Sequence, residues 1–257
     1  MNFLVKKYNS FKKRIKCASF GIYYLKDSGL QLPDVLKVNG RSIPLRFIDR
    51  KSSGFLYEFT EICLNDCYHL NILFKEIAEI KTIIDIGANQ GLFTLAARSK
   101  FPNAAINCYE PNRELQPVLD FNAQQLQSTI FYEAVTKEPC KVLLEFGETY
   151  LHTQSKHSQD GNITGTALKE VIKRAGGRID ILKLDCEGAE WELFEDTASW
   201  ACIRAVTMEY HLWAKEGATH SSIKAILEAL NFKVIVQDPL SATFGLITAV
   251  RTNEKIA

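Results

Sequence analysis

Leu4, Tyr8, Phe11, Ile15, Ala18 and Ile22 recur at alternating steps of four and three. That spacing places them on one face of an α-helix, and most of the segment's lysines fall on the other. Farther on, apolar runs at 35–38 and 42–48 flank Asn39-Gly40, two residues that tolerate positive φ, which predicts a β-hairpin. Phe59, Ile62, Cys63, Leu70, Phe74 and Ile77 then keep a helical period through 55–80. Residues 1–80 therefore read as a basic helix, a hairpin and a helical cap.

From residue 81 the pattern changes to short apolar runs alternating with helical segments. Strands are predicted at 82–86, 105–109, 130–135, 141–146, 179–184, 203–209, 232–236 and 244–250. Helices are predicted at 92–100, 113–127, 166–175 and 221–230, with a short one opening at 191–194. Gly176-Gly177 ends the third long helix. This alternation predicts βαβ units and a mostly parallel sheet, an α/β fold. The last two strands have no helix between them, so one of them should run antiparallel.

Composition narrows the class. The 257 residues are 46% apolar and 24% charged, which excludes a disordered chain, a collagen-like repeat and a disulfide-stapled mini-protein. No run of 18 apolar residues occurs. The net charge of +1 carries no nucleic-acid signature, so no nucleic-acid partner is expected. Residues 1–26, however, hold Lys6, Lys7, Lys12, Lys13, Arg14, Lys16 and Lys26 and no acid, which leaves the rest of the chain at −6. A basic arm with an apolar face suits an anionic partner such as a membrane surface. The seven cysteines are odd in number and scattered, which fits a reducing, cytoplasmic compartment, with the arm at the inner face of a membrane. Cys63 and Cys67 have no second pair to complete a zinc site.

The candidate chemistry gathers at strand ends. Asp85, Gly87, Asn89 and Gly91 follow the first strand of the alternating region. Gly-x-x-x-Gly with an Asp is not the dinucleotide spacing, and an acid would repel a pyrophosphate. A cationic, phosphate-free ligand such as S-adenosylmethionine suits it better. Glu110, in Cys-Tyr-Glu-Pro-Asn, ends the next strand and is placed to accept both hydroxyls of a ribose. Glu133 and Ala134 end the third, where an adenine would lie. Lys183 interrupts the buried run 179–184, with Asp185 at the strand end and Glu187 and Glu190 opening the next helix. Glu190 reads equally well as a helix cap. Glu209 and His211 end the adjacent strand.

The runs IIDIGANQGLFTL, CYEPN, IDILKLDCEGAEWELF and MEYH resemble FkbM-type S-adenosylmethionine-dependent methyltransferases, over roughly residues 55–250. The resemblance implies a class I methyltransferase, Rossmann-like sheet of seven strands in the order 3-2-1-4-5-7-6, strand 7 antiparallel, occupying 81–257 behind the N-terminal cap. Strands at Leu45 and 141–146 are expected to add to that sheet. It also implies O-methylation of a saccharide, glycoconjugate or natural-product acceptor. Asp85, Gly87, Asn89 and Gly91 would border the methionine half of the cofactor, Glu110 its ribose, and Glu133 and Ala134 its adenine, with Asp185 on the rim of the cofactor cleft. The catalytic centre is expected at Asp185, Glu209 and His211, supported by Lys183 and Glu187. His211, with an ordinary pKa near 6.5, would act as general base. The same residues could instead hold a divalent metal, or the base could lie in the loop of His152 and His157. The competing function is a non-catalytic adaptor of the same fold that binds a membrane or protein through its arm. The intact Asp85, Gly87, Gly91 and Glu110 speak against it.

Overall fold

The computed structural model describes residues 13–22, 30–146 and 153–252. Helix α1 covers 13–19. The hairpin β1 (Val35–Val38) and β2 (Arg41–Pro44) precedes α2 (Ser53–Phe59) and α3 (Leu70–Glu76). The alternating region runs β3 (Thr82–Ile86), α4 (Leu92–Lys100), β4 (Ala105–Tyr109), α5 (Gln116–Leu126), β5 (Thr129–Phe131). It continues through β6 (Ala134–Thr136), β7 (Cys140–Phe146), β8 (Thr153–His157), β9 (Ile163–Ala167), α6 (Leu168–Arg174) and β10 (Ile179–Leu184). The chain ends with α7 (Glu190–Leu193), α8 (Thr197–Trp200), β11 (Ile203–His211), α9 (His220–Ala229), β12 (Phe232–Pro239) and β13 (Phe244–Arg251).

Seven strands form one sheet in the order β12-β13-β11-β10-β3-β4-β5. Counted along the alternating region this is the expected 3-2-1-4-5-7-6. β13 pairs antiparallel with both β11 and β12, and the other pairings are parallel. β10 is buried at every position, as a central parallel strand covered on both faces must be. One face packs Ile84, Leu182, Val206 and Trp200, and the other Ile83, Ile181, Phe93 and Leu73.

The extra strands do not join this sheet. Among the described residues β2 pairs with β1 alone, and Leu45 lies just beyond it, its N–H bonded to the Asp34 carbonyl. The predicted strand 130–135 splits at Glu133, whose carboxylate is held by Thr166 and Arg174. β5 stays in the main sheet, while β6 leaves it to form a second sheet, β6-β9-β7-β8, and takes the 141–146 run with it. Thr166 accordingly lies in β9, and α6 starts at Leu168.

The single helix expected at 55–80 is broken. A π-turn occupies Thr60–Leu64, and Asp66 and His69 adopt positive φ. The Asp66 carboxylate then accepts the N–H groups of Leu70 (2.8 Å) and Asn71 (3.0 Å) and starts a new helix. In α1 the side chain that enters the core is Cys17, with Phe20 and Ile22 just after the helix. Ile15 is 55% exposed and Ala18 is also exposed, so the apolar face is offset from the one the spacing suggested. These three residues pack with Leu36, Phe55, Phe59, Leu92 and Leu126. The parts of the basic arm at 1–12 and 23–26 lie outside the described residues. Among those described, no helix is long and apolar enough to cross a membrane.

Candidate active site at the carboxyl ends of the central strands

A cleft of about 640 Å³, open to solvent, lies at the carboxyl ends of β3, β4 and β10. Gly87, Asn89, Glu110, Glu133, Ala134, Asp185 and Glu187 all line it, and no lysine or arginine does among the described residues. The backbone sets the shape of its floor. Gly87 has φ +77°, and a Cβ there would fall 1.8 Å from the Asp185 carbonyl oxygen, so the two strand ends approach this closely only with glycine at 87. Asn89 follows at φ +47°, and Gly91 at φ +86° caps α4.

Glu110 fixes the far wall of the turn. One carboxylate oxygen accepts the Asn89 N–H and the other the Asn112 N–H, both at 2.8 Å. Burial pushes its pKa up to about 6, and these backbone donors hold the rise in check. Glu133 faces the same cleft with one oxygen bound by Thr166 and Arg174.

Asp85 differs from its expected place against the ligand. It is fully buried beneath the turn, where Thr94 donates to Oδ2 at 2.9 Å and Lys183 Nζ stands 3.2 Å from Oδ1. Gly91 likewise supports the helix rather than lining the cleft. Lys183 donates to the Gly87 carbonyl at 2.6 Å and lies 3.7 Å from Asp185 Oδ2. Burial alone would lower the lysine's pKa, but Asp85 and Asp185 together outweigh it and keep the ammonium charged. One buried cation thus ties both strand ends to the glycine turn. Tyr68, from the segment before β3, completes the support by donating to Asp185 Oδ2 at 2.9 Å.

Beside Asp185 the structure brings Glu187, Glu190, Glu209 and His211 together. Glu190 is fully buried, and its Oε1 accepts the His211 backbone N–H at 2.7 Å and lies 3.1 Å from His211 Nδ1. Its Oε2 accepts the Gly188 N–H at 2.9 Å. His211 Nε2 faces Glu209 at 3.5 Å and Glu187 at 3.7 Å. Asp185, Glu209 and His211 each offer a ligating atom within 4.8 Å of the others. Burial opposes a charge on His211, but Glu190 and Glu209 prevail and push its pKa up to about 11. With only these neighbours it is an imidazolium, not the free base expected from its ordinary pKa. Burial and the Asp185 charge raise the Glu209 carboxyl in turn. Glu58, on α2, is pushed to about 7 by burial and by Asp185 and Glu209.

Two contributors, Tyr68 and Glu58, were not singled out from sequence, and Glu190 was left open between a helix cap and a functional acid. The hold of Glu190 on His211 decides between those two readings of it. Tyr68 and Glu58 sit among the periodic residues of the cap, and nothing local marks them. Of the alternative base loop, His152 lies outside the described residues and His157 belongs to β8 of the second sheet.

Residues 85–234 match the Methyltransferase FkbM domain family. The chain is 27% identical over 251 residues to Methyltransferase sdnD of Sordaria araneosa, covering 79% of this chain and 92% of that protein. It is 26% identical over 216 residues to Methyltransferase 1 of Beauveria bassiana, covering 70% and 81%. Among solved structures, magnesium protoporphyrin IX methyltransferase from Synechocystis aligns with a TM-score of 0.45 at 11% identity, over 80% of this chain and 86% of that one.

Proposed function

The chain belongs to the FkbM methyltransferase domain family, and from that premise we propose that it transfers the methyl group of S-adenosylmethionine to a hydroxyl oxygen of a saccharide, glycoconjugate or other natural product. The observation that carries this reading is the cleft chemistry: carboxylates from the strand ends and, among the described residues, no basic side chain in the lining. A pyrophosphate would find no cation there, whereas a sulfonium and an ammonium find Asp185 and Glu187.

The residues present fit that cofactor. Asn89 Oδ1 is buried at the turn with no hydrogen-bond partner among the described residues, an acceptor available to a ligand donor. Glu110, fixed by two backbone N–H groups, keeps lone pairs for two ribose hydroxyls. Glu133 and Ala134 flank the adenine end. When bound, the cofactor supplies an electrophilic methyl on sulfur. Asp85 acts one layer back, holding Lys183 and through it the glycine turn and Asp185.

Methyl transfer needs the acceptor oxygen in line with the sulfur–methyl bond, about 3 Å from the methyl carbon. The cluster of Asp185, Glu209 and His211 adjoins the cleft where such a hydroxyl would sit. Asp185 and Glu209, both partly exposed, are the groups available to accept its hydrogen, with Glu187 beside them. A divalent cation held by the same residues would acidify the hydroxyl directly. Trp213, 47% exposed and 5.7 Å from the His211 ring, offers an apolar face to a ring-shaped acceptor on this side.

Calorimetry with S-adenosylmethionine and NAD tests the cofactor, and the reading fails if NAD binds more tightly. Incubation with labelled S-adenosylmethionine and fractionated glycans or natural-product extracts tests the acceptor. Label that enters only protein or nucleic acid would overturn the acceptor class.

A further inference from the structure

We infer that Glu58, on α2 of the N-terminal cap, and Gln90, in the turn before α4, bind the amino-acid tail of S-adenosylmethionine, Glu58 taking its ammonium and Gln90 its carboxylate. The inference rests on the cofactor reading above. It brings into the site a helix that precedes the residues matched by the family, 85–234.

A second hollow, of about 370 Å³, lies between the cap and the glycine turn. Gly87, Asn89 and Asp185 line both it and the larger cleft, so one ligand can run from the cleft into the hollow past the end of β3. Of the two, Glu58, Tyr68, Gln90 and Phe93 line the hollow alone.

The polar groups of the hollow are divided by sign. On the cap side Glu58 accepts no hydrogen bond and joins no ion pair among the described residues. Burial and the Asp185 and Glu209 charges push its carboxyl up to about 7. The Lys183 ammonium does not offset them, being committed to Asp85 and the Gly87 carbonyl. What Glu58 lacks is a cation, and a ligand ammonium would supply one. Asn89 Oδ1, buried without a partner among the described residues, is a further acceptor beside it.

On the turn side the groups are donors. Gln90 is 2% exposed. Its Oε1 accepts the Ile48 N–H at 2.5 Å, which fixes the orientation of the amide and leaves Nε2 as the end with no partner among the described residues. A buried amide nitrogen without an acceptor costs stability until a ligand provides one. Leu92 and Phe93, the first residues of α4, line the same hollow, and no side chain caps that nine-residue helix. Its first N–H groups and its dipole favour an anion.

Acids facing donors at a helix start are the complement of a zwitterion. A phosphate would be repelled by Glu58 and Asp185, and a neutral polyol would meet neither charge, whereas an α-amino acid answers both. The cofactor carries such a tail on its sulfur. With its ribose at Glu110 and its sulfonium beside Asp185, the tail falls into the hollow. The rings of Tyr68 and Phe93, packed edge to face at 5.3 Å, give its methylenes an apolar wall.

Calorimetry on the full chain with two probes tests this. S-adenosylhomocysteine has the amino-acid tail; 5′-methylthioadenosine has the same nucleoside and sulfur without it. Glu58→Gln should weaken S-adenosylhomocysteine binding by roughly 10–100-fold, the loss of a hydrogen bond between charged groups. Gln90→Glu keeps an acceptor for Ile48 and should weaken it at least as much, by setting two carboxylates together. Neither change should alter 5′-methylthioadenosine affinity by more than about twofold, which also reports a folded site. The inference is overturned if S-adenosylhomocysteine binds either variant as tightly as the unaltered chain, or if both probes lose affinity equally. Should neither probe bind the unaltered chain, the cofactor reading falls, and this inference with it.

Discussion

Glu190 grips His211 at two points, the backbone N–H at 2.7 Å and the imidazole Nδ1 at 3.1 Å, from a position with no solvent exposure. In chelated protein this pairing has a pH signature. The folded-state pKa of His211 is about 11 against an ordinary 6.5, so its charged form stabilises the fold. That contribution is complete below about pH 6.5 and fades as pH rises toward the folded value. Thermal melts in EDTA should therefore fall over that window, and Glu190→Gln should flatten the slope. An identical slope in both proteins would contradict the pairing.

Lys183→Met should be among the most damaging single changes. It leaves Asp85, fully buried, with Thr94 but no cation, at a cost of about 3–5 kcal/mol. Adding Asp85→Asn to it should cost less than the two changes summed, because they remove the same pair. Urea midpoints of the three variants measure the coupling.

Glu110→Ala should weaken S-adenosylmethionine binding by roughly 2–4 kcal/mol, the loss of two hydrogen bonds to a carboxylate. With the Glu110 pKa near 6, affinity should also decline as pH drops below that value, since the protonated acid loses acceptor capacity. Calorimetry at pH 5 and 8 on both proteins checks this. The pH effect should vanish in the variant.

Gly87→Ala should unfold the turn or open the strand pair, costing roughly 3–5 kcal/mol, because the new methyl meets backbone rather than a yielding side chain. Gly40, also at positive φ but with open space around it, should accept alanine at about 1 kcal/mol. Comparing the two melts separates contact from conformation.

Much of this was readable from periodicity. Buried parallel strands such as β3 and β10 are mostly apolar runs, and the charged residues within and just beyond them, Asp85, Lys183 and Asp185, stand out against them. The strand order came with the family resemblance, and the pairings agree with it. Three things escaped. The second sheet depends on Glu133 meeting Thr166 and Arg174, partners 33 and 41 residues away, which no local window contains. The break in 55–80 turns on Asp66, a short polar residue that competes with the helix for backbone donors. The charge state of His211 follows from acids placed by α7 and β11 together, so the imidazole's ordinary pKa was a poor guide.

Tyr68 lies upstream of every strand of the large sheet, yet its hydroxyl steadies Asp185 at the sheet's centre. A gene fragment opening at residue 81 would encode all seven of those strands and look like a complete unit to anyone choosing a cloning boundary. It would still lack the hydroxyl that steadies Asp185 in the candidate site. Swapping N-terminal segments between relatives should accordingly alter turnover.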